Sequence, residues 1–297
     1  IEDEALGEER AVTLNAVEYS ENPNYLHKIF EIDDKKIGYY VYNFFAAGPD
    51  SGSYDAEMDE IFAYFRANGI TDLILDLRFN SGGSETSASN LASLIGAGTG
   101  SKQVFFKREY NEQVEEEIIN DPQGGEGYLT KHFLDKAQNI GSQLNGSRVY
   151  ILTSSRTASA SELVINGLKP YMEVFLIGNT TLGKNVGSIS LYEEDDPENT
   201  WGMQPIIMKG YNSLNRSDYS NGFTPHILDE DNSLFIYPLG DMREALLRRA
   251  LEQITGNVIP ARIREPREKR EIIGHSLDIR ERSFKLIIEE VPPVLKK

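Results

Sequence analysis

The 297-residue chain contains no cysteine. That removes disulfides, zinc–thiolate sites, iron–sulfur clusters and a cysteine nucleophile together. Long apolar runs are missing too: stretches such as 37–45 and 175–178 fall far below the roughly 20 residues a membrane helix needs. Basic charge is scarce, with 30 Lys and Arg against 47 Asp and Glu and a net charge of −17. This argues against nucleic acid as a partner, because phosphate binding needs clustered cations. The four histidines, His27, His132, His226 and His275, are scattered with no i, i+4 pair. A zinc site therefore has nothing to build from, and no metal or other cofactor is expected. What is present is ordinary globular composition, 39% hydrophobic and 26% charged, which excludes wholesale disorder.

The chain opens on Ile1 without a basic–apolar–small signal pattern, so it reads as a mature form with an upstream region removed. Charge is unevenly spread. Residues 258–297 hold ten Lys and Arg against seven Asp and Glu, a local charge of +3, leaving about −20 on the rest. Gly256 and Pro260 mark that change. The expected organisation is an acidic lead-in over 1–35, a core over 36–257 and a C-terminal appendage over 258–297 with a strand in 283–288. A solvated extension is the plain reading of the appendage, and a binding arm the alternative.

Between the ends, strand and helix patterns alternate. The runs 36–45, 73–77, 148–153 and 174–178 are β-branched, aromatic or continuously apolar and read as strands. Met58, Ile61, Phe62 and Phe65 recur at helical spacing, as do Leu247, Ala250, Leu251 and Ile254. Asp241 and Glu244 are placed for a capping box before the last helix, and Gly256 for its stop. Shorter helices are expected over 87–95 and 161–168, and 101–135 is the least legible stretch. This order argues for an α/β fold, a central sheet covered by crossover helices.

Three turns follow strands. Arg78-Phe79-Asn80-Ser81-Gly82-Gly83 carries paired glycines whose backbone N–H groups can face outward; alone it is also an ordinary tight turn. Thr157-Ala158-Ser159-Ala160-Ser161-Glu162 opens a helix. Ser159 and Glu162 fit a capping box, while a helix N-terminus also favours a developing negative charge. Gly178 to Asn185 comes close to a phosphate-binding loop, G-x-x-x-x-G-K. It lacks the Ser or Thr after the lysine, and 186–190 alternates like a strand instead of a helix, so nucleotide binding is set aside.

Together LILDLRFNSGG, TSSRTASASELVINGL and FLIGNTTLGKNVGS resemble the carboxy-terminal processing peptidases, or tail-specific proteases, serine peptidases with a Ser/Lys dyad. The resemblance spans roughly 36–256, and its Lys-Asn-Val-Gly-Ser variant is similar to envelope proteins of the Bacteroides group. It implies a ClpP/crotonase-like core, protein or peptide substrates cleaved near C-terminal tails, and a periplasmic or cell-envelope location, as for a lipoprotein. It places the nucleophile on Ser159, the general base on Lys184, and the oxyanion donors on the backbone of Ala160 and of Gly82 or Gly83. Ser188 stands where many members have a supporting glutamine, and Pro170 where others have an acid. No sequence resembling the family's usual PDZ domain, which binds peptides by strand addition, is seen before 36 or after 256.

Serine attacks only when a neutral base takes its proton. Free lysine titrates near 10.4, so activity near neutrality requires burial to outweigh the acidic surroundings. Lys184 is accordingly expected in an apolar, closed pocket flanked by Leu182 and Val186. Two other readings stay open: a non-catalytic peptide-binding protein on the same fold, and a Ser-His enzyme like the tricorn core in which Lys184 has no role.

Overall fold

The computed structural model describes residues 21–48, 50, 52–121, 125–193, 195–196, 198–229 and 236–261, with the short pieces 2–3, 8–9, 13, 15 and 286–287. In chain order the main elements begin β1 (Asn24–Ile32), β2 (Lys35–Tyr42), α1 (Ser53–Ala67), β3 (Asp72–Asp76), β4 (Gly83–Ser84) and α2 (Glu85–Ile95). They continue β5 (Val104–Glu109), α3 (Glu112–Asn120), β6 (Thr130–His132), β7 (Arg148–Thr153), α4 (Ala160–Leu168) and β8 (Glu173–Gly178). The series closes with β9 (Val186–Ser188), β10 (Leu191–Tyr192), β11 (Gly202–Met203), β12 (Ile206–Tyr211), β13 (Ile227–Leu228), α5 (Ala245–Thr255) and β14 (Leu286–Ile287).

The main sheet runs β13-β8-β7-β3-β2-β1, parallel throughout except for the antiparallel β1–β2 pair. It begins upstream of residue 36, since β1 lies in the stretch read as lead-in. Side chains alternate across the sheet. Phe30, Ile37, Tyr39, Val41, Ile74, Tyr150 and Leu152 meet Leu246, Leu247 and Leu251 of α5 on one face. Tyr40, Tyr42, Leu73, Leu75, Val149 and Ile151 face α1, α2 and α4 on the other. Beyond those helices Phe105, Phe106 and Met208 of a second sheet close the core. That sheet runs β4-β14-β9-β12-β5-β6, so 101–135 contains two strands and a helix that its weak patterning hid.

α1 buries Met58, Ile61, Phe62 and Phe65, as their spacing predicts. α5 is capped differently from expectation. Glu244 alone is the N-cap and accepts the N–H groups of Leu246 and Leu247 at 3.4 and 2.9 Å, and Gly256 ends the helix at φ 74°. Glu244 also takes Arg78 through a bidentate pair, and Arg78 bonds Asp76 at 2.9 Å. All three are buried, so this network fixes the turn after β3 against the start of α5.

Candidate active site

Parallel strands put their carboxyl ends on one edge of the sheet, and there the turns after β3, β7 and β8 meet. Asn80, fully buried, joins the first two. Its side-chain amide donates to the Tyr42 carbonyl at 2.9 Å and its Oδ1 accepts the Gly82 N–H at 2.9 Å. Its own carbonyl accepts the Ala158 N–H at 3.2 Å and the Ser161 hydroxyl at 3.0 Å. The third turn is tied to the second by Leu182 N–H donating to the Thr157 carbonyl at 3.0 Å.

Ser159 sits at the tip of the second turn as N-cap of α4, with φ 58° and ψ −111°. A non-glycine residue held at positive φ costs on the order of 1–3 kcal/mol and persists only where its surroundings enforce it. Here the enforcing contact is the Ser159 N–H bonded to Glu162 Oε2 at 2.9 Å. That is one half of the expected capping box. The Ser159 side chain facing the Glu162 backbone N–H completes the box, although the contact is too loose to count as a hydrogen bond. Ser159 Oγ, buried at 1% exposure, has no other partner among the described residues. Buried hydroxyls are seldom left unpaired.

Glu162 does far more than cap. Its Oε2 also accepts the backbone N–H of Lys184 at 2.8 Å, while Oε1 accepts the Thr181 hydroxyl at 2.6 Å and the Gly183 N–H at 2.7 Å. One fully buried carboxylate thus binds the backbones of the second and third turns into one unit. Burial pushes its pKa above the ordinary carboxylate value, with the four hydrogen bonds pulling the other way. Sequence pattern revealed only the local half of this role. Nothing in residue spacing announces that 181–184 would fold back onto Glu162. Gly183, at φ 97°, has to be glycine, since a Cβ there would lie 2.4 Å from the Ser220 carbonyl oxygen.

The sequence-derived residues are therefore distributed as follows. Ser159, Ala160 and Lys184 come together around Glu162. Ala160 N–H lies in the first turn of α4, where N–H groups lack an intrahelical acceptor. Of the two glycines expected as oxyanion donors, Gly82 gives its N–H to Asn80 Oδ1 at 2.9 Å, and Gly83 lies in β4. Ser188 is buried in β9, on the strand that follows Lys184. The closed pocket expected for Lys184 is not seen: Lys184 and Val186 are half-buried and Leu182 is 47% exposed. The reason is that 182–186 lies on the surface of the third turn, held from beneath by its backbone. Among the described residues no cluster of His, Asp and Glu is arranged to hold a metal ion, and no helix is long and apolar enough to cross a membrane.

Residues 36–228 match the profile of peptidase family S41. A solved structure of a putative S41 protease from Bacteroides fragilis is 29% identical, with a TM-score of 0.67 over 80% of this chain. The match covers 59% of that protein, so this chain spans well under two thirds of its relative's length. A putative peptidase from Parabacteroides merdae is 19% identical over 80% of this chain and 66% of its own, with a TM-score of 0.48. The photosystem II D1 C-terminal processing protease is 20% identical over 66% and 42%, at 0.47. No curated protein matches. On the profile match across most of its length, the chain belongs to peptidase family S41.

Proposed function

We propose that the chain is a serine peptidase in which Ser159 is the nucleophile and Lys184 the general base. The observation that carries this reading is the shared Glu162 carboxylate, which fixes the backbones of both residues while the buried Ser159 Oγ makes no hydrogen bond of good geometry among the described residues. A buried unpaired hydroxyl on a strained turn is a poor structural element and a sound nucleophile. In the reaction, neutral Lys184 Nζ takes the Ser159 proton as Oγ bonds to the substrate carbonyl carbon. Gly83 and Ala160 N–H groups then stabilise the oxyanion. The C–N bond breaks as Lys184 returns the proton to the leaving amine, and water hydrolyses the acyl-enzyme by the same route. Bound substrate supplies the enclosure that the half-buried Lys184 lacks, and so favours the neutral amine.

Cleavage near C-terminal tails and a location in the cell envelope as a periplasmic lipoprotein belong to this proposal and rest on the family resemblance. The test is hydrolysis of peptides by the wild type and by Lys184→Ala. The dyad requires loss of activity in the variant. Equal rates would assign Lys184 no role, and an inert wild type that still binds peptide would favour the binding-protein reading.

A further inference from the structure

Two strands of the second sheet at the proposed site, β4 and β9, are joined through one strand contributed by the C-terminal segment. Leu286 and Ile287 pair in parallel with Gly83 and Ser84, and Ile287 pairs on its other side, also in parallel, with Ser188. β14 therefore lies between the glycine turn and the strand that follows Lys184. Within a strand, the backbone groups of successive residues point to opposite edges. Phe45 takes the Gly82 carbonyl and the Ser84 N–H at 2.9 Å each, which uses one edge. Gly83's own N–H and carbonyl consequently face the other edge, the one occupied by Leu286 and Ile287. That same N–H is the oxyanion donor proposed above. Tight packing holds it in place: a Cβ on Gly83, at φ 134°, would sit 2.1 Å from the Phe45 carbonyl oxygen.

We infer that the gap between Gly83–Ser84 and Val186–Ser188 is a slot for one extended peptide strand running parallel to both, and that the chain's own C-terminal strand fills it in competition with substrate. The inference rests on the catalytic reading for its consequence, but the slot itself rests on strand pairing alone. An extended backbone completes the hydrogen bonding of both edges, as in recognition by strand addition. The occupant's described residues are Leu286 and Ile287, and the sequence around them, FKLII, is strongly β-forming, so the slot suits peptides of β-branched and aliphatic character. Charge favours the same docking, a segment of +3 against a body of about −20. Tethering raises the effective concentration of the segment to the order of 1 mM, so an intrinsic affinity of about 0.1 mM suffices to raise the apparent KM about tenfold.

The test compares full-length wild type with full-length Ile287→Pro, which removes a ladder donor from the segment. Two readouts are used: peptide hydrolysis, and binding of a fluorescein-labelled peptide with the sequence of residues 283–290. The variant is expected to show a KM about tenfold lower at little-changed kcat, and to bind the labelled peptide about tenfold more tightly than wild type. Unlabelled peptide should inhibit the variant competitively. Equal peptide binding by the two proteins overturns the inference. So does an unchanged KM. If neither protein hydrolyses peptides, the catalytic reading fails, while the binding comparison still decides the slot.

Discussion

Ser159 and Lys184, 25 positions apart in the sequence, donate their backbone N–H groups to one oxygen, Oε2 of Glu162, at 2.9 and 2.8 Å. The relative placement of the two turns therefore depends on one buried carboxylate that holds both backbones. Glu162 is a positioning residue.

Replacing it isosterically exposes that role. In Glu162→Gln one oxygen becomes an NH₂ group, which faces two N–H or O–H donors and can accept from neither. Each buried group left unpaired costs about 1–3 kcal/mol, and about 2–4 °C of melting temperature accompanies each kcal/mol in a chain of this size. The variant is expected to melt several degrees lower and to lose most of its hydrolysis, checked by calorimetry and a peptide assay. Unchanged stability would show that the four hydrogen bonds are not holding the turns.

The pH dependence has a definite sign. Burial raises the Glu162 carboxyl above its ordinary value of 4.5, so the folded chain holds that proton more tightly than the unfolded chain. The resulting stability is fully present below the unfolded value and is lost as pH rises through the folded one. Melting wild type and Glu162→Gln from about pH 4 to about pH 8 should show the wild-type advantage shrinking with pH. An advantage that grows would reverse the assignment.

The Ser159 backbone supplies a separation of stability from chemistry. Glycine accepts φ 58° without strain, and among the described residues Ser159 Oγ has only the loose capping-box contact to lose. Ser159→Gly is expected to be as stable as wild type or up to about 1 kcal/mol more stable, while peptide hydrolysis falls by several orders of magnitude. A loss of about 0.5–2 kcal/mol would mean that the hydroxyl is a helix cap.

Lys184→Arg keeps the positive charge but cannot act as a neutral base, since a guanidinium stays protonated. Its rate should fall about a thousandfold or more with the fold intact by circular dichroism. Retention of a tenth of wild-type activity would remove Lys184 from the mechanism.

Residues 24–32 and 101–135 lack a legible pattern. The central strands at 36–45, 73–77, 148–153 and 174–178, the helices packed on them and the three turns could be read from sequence because each is written in local periodicity or in glycine placement. Asn80 and Glu162 could not. Both act through contacts with segments 19 to 81 residues away, and Glu162's local fit to a capping box masked its longer reach. The pocket expected around Lys184 was inferred from its neighbours' apolarity, but Leu182 points outward because its backbone, not its side chain, is anchored. The strand at Leu286–Ile287 was visible as an apolar run within 283–288, whereas its place beside Gly83 is a property of the fold alone.

The central claim is that Ser159 is the acylated residue. Its most direct test is reaction of the full chain with a fluorescent fluorophosphonate followed by peptide mapping. The account predicts a single label on Ser159, strongly reduced in Lys184→Arg. Label on Ser161, whose hydroxyl is bonded to the Asn80 carbonyl, or on Ser154 or Ser155, would contradict it, as would no label at all.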